Sequence, residues 1–340
     1  MSPRRLIAPL LAALALATPA PPAAARDRGA VRPQPPARLL NAVEALGQRF
    51  PDAVGISVRD VERGWTVSWQ GGTRRPQQSV SKLWVALATF DAIDRGALGL
   101  RETVTVRRGD LTLFHQPIRA RVGAGGLRIT IADLLDCALT RSDNTCNDVL
   151  LRQVGGPVAV RRTLARKGIS GVTFGPGERL LQARTAGLTW RDSWAGGDGF
   201  LRARARLSLA ARRRALDRYV ASPPDGASAD GVTLGLARLA QGRLLSRAST
   251  ARMLALMRAS RTGPLRLRSG LGRGWTLAHK TGTGQELAGT ATGTNDVGLL
   301  TAPDGHRYAV AVLIARTRAP LPTRLRLMGD VTRAVVRAHG

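Results

Sequence analysis

The chain has 340 residues, 44% hydrophobic and 22% charged, with 52 Lys+Arg against 23 Asp+Glu and a formal net charge of +29. That is enough apolar material for one large domain or two lobes sharing a cleft, and too much for a disordered chain. The charge raises nucleic acid as a partner, but the arginines are scattered through most of the predicted helices without forming one block, and only 4% of residues are aromatic. A solvated basic surface with no nucleic-acid role is therefore expected, with attraction to anionic surfaces or substrates as its milder consequence. His115, His279, His306 and His339 share no ligand-like spacing with each other or with Cys137 and Cys146. Neither a metal site nor a cofactor is expected.

Arg4-Arg5, the apolar run Leu6 to Ala17 and Ala23-Ala24-Ala25 follow the order of a secretory signal peptide, with cleavage expected after Ala25. This predicts a periplasmic or secreted protein. No later stretch reaches about 18 uninterrupted apolar residues, so no membrane span is expected in the mature chain. Residues 26–36, with Pro33, Pro35 and Pro36, read as a linker. Leu39, Leu40, Val43, Leu46 and Phe50 give helical periodicity over Arg38 to Phe50. Val54 to Arg59 and Trp65 to Gln70 alternate as a β-hairpin. A polar loop then leads to Gln78-Ser79-Val80-Ser81-Lys82 and the apolar run Leu83 to Ala88, which reads as a buried helix opened by Ser79.

From about residue 96 to 269 the pattern is helices and loops. Thr130 is a candidate N-cap for a helix to Thr140, followed by Ser142-Asp143-Asn144 and helices over Asn147 to Val154 and Val158 to Lys167. Gly171 to Leu188, centred on Gly175-Pro176-Gly177, reads as a loop. An Arg-rich segment, about 190–230, holds one predicted helix over Ala203 to Val220 and is read as surface decoration in preference to a lid. Helices over Gly231 to Ala240 and Ser249 to Arg258 follow. Strands return at Gly274 to Lys280, Asp296 to Thr301 and Tyr308 to Ala315, before a final helix over Thr323 to Ala338. Strands at both ends and helices between predict an α/β (α+β) fold. A five-stranded antiparallel sheet would be flanked by terminal helices, with an α/β lobe of about 37–95 and 270–340 and an inserted helical lobe. The cleft should lie between the lobes. Cys137 and Cys146 flank Ser142-Asp143-Asn144 with a predicted helix on either side holding them apart. Two buried thiols are expected in preference to a disulfide.

Residues i and i+3 share a helix face, so Ser79 and Lys82 can come within hydrogen-bonding reach. A serine hydroxyl needs a base, and a neutral amine can serve where a guanidinium cannot. Composition adds weight: of the 52 basic residues only Lys82, Lys167 and Lys280 are lysine. Two of the three fall in motifs, Ser79-x-x-Lys82 and Lys280-Thr281-Gly282.

With Ser142-Asp143-Asn144 between them, these motifs resemble a class A β-lactamase, within the penicillin-recognising serine hydrolases. The resemblance covers nearly the whole mature chain and extends to Asn147, Thr283-Gly284 and Thr294-Asn295-Asp296. It implies Ser79 as nucleophile activated by Lys82, and Ser142 as proton donor to the leaving nitrogen. Asn144, Lys280, Thr281, Gly282 and Thr283 would bind a β-lactam substrate, Thr283 N–H completing an oxyanion hole with Ser79 N–H. Gly282 and Gly284 would leave the strand edge bare. Glu178 would activate the deacylating water, with Gln182 where the family usually has Asn. Arg316, Arg318, Arg324 and Arg326 are all available for the substrate carboxylate, and Leu111 to Arg121, with Phe114 and His115, would form a cleft wall. A monomer is expected. The alternatives are a peptidoglycan D,D-peptidase or esterase of the same fold, and a non-catalytic basic binding protein of the envelope.

Overall fold

The computed structural model describes residues 33–339. The expected signal peptide and the first part of the linker lie outside the described residues. Helix α1 (Ala37–Arg49) buries Leu39 and Val43, one turn apart on one face. Strands β1 (Ala53–Asp60) and β2 (Thr66–Trp69) form the expected hairpin, whose turn is closed by Asp60 Oδ1 accepting from the N–H groups of Glu62 and Arg63. After β3 (Arg75–Pro76) a 3-10 turn, Gln78–Ser81, runs into α2 (Lys82–Asp94), which is buried from Lys82 to Ala92. A helix apolar all round belongs in the middle of the protein, and α2 takes that place.

The helical region carries β4 (Thr103–Val106) and β5 (Leu127–Thr130), paired with each other, then α3 (Ile131–Thr140), α4 (Asn144–Gln153), α5 (Gly156–Arg166) and α6 (Glu178–Thr185). It continues through α7 (Gly199–Ala205), α8 (Leu209–Ala221), β6 (Gly226–Ala227), α9 (Ala229–Ala240) and α10 (Arg247–Arg258). Thr130 caps α3 as expected, its side chain accepting from Asp133 N–H. Strands β7 (Thr276–Thr283), β8 (Glu286–Leu287), β9 (Thr290–Thr301) and β10 (Arg307–Thr317) precede α11 (Leu321–His339).

The main sheet is antiparallel in the order β2-β1-β10-β9-β7, the five strands expected, with β8 added as a short sixth against β9. Both faces are covered, which is why β10 reads as a nearly continuous apolar run. Tyr308, Val310, Val312 and Ile314 pack under α1 and α11, while Ala309, Ala311 and Leu313 join the core around α2. The edge strand β7 faces the helical region, so the cleft lies between the two.

Four expectations need correction. The segment 171–188 is not all loop: its Gly-Pro-Gly run ends at Gly177 and Glu178 opens α6. The single Arg-rich helix is two, α7 and α8, broken at Arg206 to Ser208, where the Ser208 hydroxyl accepts from Ala211 N–H as a new N-cap. The segment is also no mere decoration, because Phe200 packs in a small core with Leu113, Ala183 and Ala186. Finally, Cys137 and Cys146 form a disulfide. Helices α3 and α4 fold back on each other around residues 141–143, and this turn brings the two Cα atoms to 6.1 Å. That lies inside the disulfide range of about 4.4–6.8 Å. Among the described residues no helix is long and apolar enough to cross a membrane.

Candidate active site

Ser79 sits in the 3-10 turn that feeds α2, half-buried and open to the cleft. The preceding residue, Gln78, is held at φ +53°. Its N–H donates to Asp225 Oδ2 at 2.8 Å and its Nε2 to the Tyr219 hydroxyl at 2.7 Å, and that hydroxyl donates onward to Asp225 at 3.1 Å. These bonds offset the cost of a left-handed residue beside the nucleophile. Burial pushes the Asp225 carboxyl up to about 6 and the Tyr219 hydroxyl well above its usual value. From the sheet side Asn295 donates to the carbonyls of Pro76 and Gln77 at 2.8 and 3.0 Å, tying β9 to the same turn.

Lys82 is fully buried, and its Nζ donates to Ser79 Oγ at 2.7 Å, to Asn144 Oδ1 at 2.8 Å and to Glu178 Oε1. All three ammonium protons are thus used. Glu178 is 2% exposed and points inward from the first turn of α6. Asp148, on α4, holds that turn by accepting from the N–H groups of Glu178 and Arg179 at 2.8 and 2.9 Å, two donors a helix start leaves unpaired. Burial, with the Glu178 carboxylate close by, pushes the Asp148 carboxyl up to about 6. One turn into α6, Gln182 donates to Glu178 Oε2 and Gln78 Oε1, both at 3.2 Å. The nucleophile turn and the glutamate are therefore linked above Lys82 as well as through it.

On the other flank, Lys280 Nζ donates to Ser142 Oγ at 2.8 Å and to the Thr281 carbonyl at 2.9 Å. Complete burial, then the nearby Lys82 charge, hold its pKa well below the ordinary lysine value. Ser142 is itself in the left-handed region, φ +61°, inside the disulfide-closed loop. Asp143 caps α4 through Cys146 N–H at 2.9 Å and accepts from Ile118 N–H at 2.7 Å. Asn144 donates from Nδ2 to the Leu113 carbonyl and from N–H to the His115 carbonyl, at 2.8 and 2.9 Å. The expected cleft-wall loop is thereby docked on the Ser142-Asp143-Asn144 segment.

These elements enclose a cleft of about 530 Å³ reached by Ser79, Ser142, Asn144, Thr281, Thr283 and Arg266. None of the four arginines expected near the substrate carboxylate lines it. Arg316 pairs with Asp217, Arg318 lies against Thr290, Arg324 is buried on Thr294 and Arg326 is exposed. Arg266 lines it instead. Its Nη1 donates to the carbonyls of Gly282 and Asn295 at 2.9 and 2.6 Å, and its Nη2 to Thr283 Oγ1 at 2.7 Å. No motif surrounds Arg266, and only its approach to β7 singles it out.

The two glycines after Lys280 also have a packing reason. A Cβ on Gly282 would lie 2.4 Å from the Gln77 carbonyl, and one on Gly284 1.7 Å from that of Thr292. The nucleophile turn and β9 come so close to β7 that nothing larger fits.

A serine hydroxyl bonded to a buried amine, facing a cleft with a second buried lysine and a buried carboxylate, defines a serine acyl-transfer site on a two-lobed α/β scaffold. The model of the beta-lactamase enzyme family matches residues 37–339, and the chain belongs to that family. Among curated relatives it is 25% identical to beta-lactamase VEB-1 of Pseudomonas aeruginosa, covering 87% of each chain. It is 29% identical to the extended-spectrum beta-lactamase PER-1 of the same organism, over 70% of this chain and 67% of that one. Among solved structures, a beta-lactamase from Chitinophaga pinensis superposes with a TM-score of 0.73 at 25% identity, covering 89% of this chain and 99% of that one.

Proposed function

We propose that the chain is a class A serine β-lactamase, opening the β-lactam amide through an acyl-enzyme on Ser79. Ser79 Oγ attacks the lactam carbonyl as its proton passes to Lys82 Nζ, which becomes free to accept once it has handed a proton to Glu178. The oxygen of the tetrahedral intermediate is met by the N–H groups of Ser79 and Thr283. The C–N bond breaks as Ser142 Oγ gives its proton to the lactam nitrogen, with Lys280 hydrogen-bonded behind it. The proton taken up by Lys82 makes good the one Ser142 has lost, and Glu178 returns its own to Lys82. The carboxylate so regenerated takes a proton from water as the hydroxide attacks the ester carbonyl. Ser79 Oγ leaves and recovers its proton through Lys82, so the balance is one amide and one water to one acid and one amine.

Lys280, Thr281 and Arg266 gather positive charge and hydroxyls at one end of the cleft for the ring carboxylate. Asn144 faces the acylamido side. With the signal sequence read at residues 1–25, the enzyme acts outside the cytoplasm.

The observation that carries the hydrolytic reading is the inward-facing Glu178, which shares Lys82 with the nucleophile. A serine acyl-transferase that merely traps penicillin has no need of a buried carboxylate there. The test is turnover of a chromogenic cephalosporin by purified protein and by Ser79→Ala. Hydrolysis that disappears with Ser79 is expected. Hydrolysis surviving the substitution refutes the reading, and long-lived penicillin labelling without turnover assigns the protein to the D,D-peptidase alternative.

A further inference from the structure

The Arg-rich segment that sets this sequence apart reaches into the cleft at one residue, Arg204, on α7. Its guanidinium lies 5.7 Å from the centre of the Phe114 ring, and Phe114 in turn meets Phe200, also on α7, edge to face at 5.6 Å. This aromatic pair holds a cation at the wall. Most arginines near the site are committed: Arg266 to two carbonyls and a hydroxyl, Arg179 to the carbonyls of Gly109 and Leu111, Arg324 to Thr294. The Arg204 guanidinium makes no hydrogen bond or ion pair among the described residues, and its Nε is buried without a partner. Burial first, then the neighbouring Arg212, push its pKa down.

Its position gives the unused donors a use. Lys280 and Arg266 lie at the Ser142 flank of the cleft. Arg204 stands at the other flank with Gln182, Gln285 and Glu286, beyond Asn144 and beyond the end of β7. Glu286 is exposed, lines the same region and forms no ion pair with Arg204 among the described residues, so the guanidinium remains available.

We infer that Arg204 is a specificity-determining residue that binds an anionic group on the acyl side chain of the substrate, selecting β-lactams that carry a second carboxylate besides the ring acid. The inference rests on the β-lactamase reading above for the direction in which the substrate lies. A carboxylate two or three bonds beyond the side-chain amide would meet a fork of donors already desolvated on one side.

The test compares carbenicillin with benzylpenicillin, which differ by one α-carboxylate, on wild type, Arg204→Gln and Arg204→Lys. The carbenicillin-to-benzylpenicillin ratio of kcat/KM should fall about tenfold in Arg204→Gln, as expected for losing one charge-assisted hydrogen bond, and should recover in part in Arg204→Lys. The same ratio, read as equilibrium binding to Ser79→Ala by calorimetry, should move alike. A ratio within twofold of wild type in both measurements overturns the inference, as does an equal loss for both penicillins, which would assign Arg204 to packing on Phe114. If wild type turns over neither penicillin, the hydrolytic reading fails, and the binding ratio on Ser79→Ala still decides for or against Arg204.

Discussion

Replacing Glu178 with Gln tests the division of labour between acylation and deacylation. The amide oxygen can still accept from Lys82, and the side chain keeps its length at the first turn of α6, so Ser79, Lys82 and Asn144 keep their mutual hydrogen bonds. What disappears is a base for water. A positioned general base is worth about 10²–10⁴ in rate, or about 2.7–5.4 kcal/mol on the barrier it serves. The deacylation rate should fall by that factor; acylation, which in wild type also uses Glu178 to relieve Lys82 of a proton, should slow less, so that the acyl-enzyme still forms and accumulates.

There is a stability consequence as well. The Lys82–Glu178 pair is almost completely buried, and removing one charge of such a pair costs up to about 3–5 kcal/mol when no acceptor replaces it. With the amide retained, the loss should stay below that range. Intact-protein mass spectrometry after mixing with benzylpenicillin should show an adduct on Ser79 that persists for minutes or longer, and stopped-flow turnover of a chromogenic cephalosporin should show a burst followed by a slow phase. Turnover at the wild-type rate with no accumulated adduct refutes Glu178 as the base for water. Failure to acylate at all, in a folded protein, shows instead that Glu178 acts chiefly by taking the Ser79 proton through Lys82.

Lys280→Ala should raise KM for β-lactams by about 10–150-fold, the worth of a charge-assisted hydrogen bond of about 1.5–3 kcal/mol, with a smaller change in kcat. Because burial and Lys82 lower the Lys280 pKa, wild-type KM should climb with pH before the ordinary lysine range near 10.4 is reached, and that climb should be absent from Lys280→Ala. The stability sign is opposite. The fold favours the neutral amine, so its contribution grows as pH rises from the lowered folded value toward about 10.4, and a denaturation series across that window should show the slope in wild type only. Replacing Cys137 and Cys146 together with Ala should lower stability by about 2.6 kcal/mol, from the chain entropy of a cross-link spanning nine residues. An unchanged denaturation midpoint would show that α3 and α4 are held by packing alone.

The local motifs could be read from sequence because their geometry is local. The i to i+3 relation of Ser79 and Lys82, the Thr130 cap and the β1–β2 hairpin depend on a few neighbouring residues, and each is present in the fold. The family resemblance allowed three distant triplets to be grouped, and the structure places all three around one cleft. Helix α6 was hidden by the Gly-Pro-Gly run ahead of it and by Asp148, whose capping role requires α4 and α6 to dock.

The sequence by itself determined the class of fold, the serine–lysine pair and the order of the site's elements, since these follow from periodicity and from residue types that few other roles demand. The tertiary structure alone decided which arginine lies beside Thr283, that Cys137 and Cys146 meet, and that Arg204 enters the cleft. In a chain so rich in arginine every candidate has the same chemistry, and only the packing of helices against one edge strand selects among them.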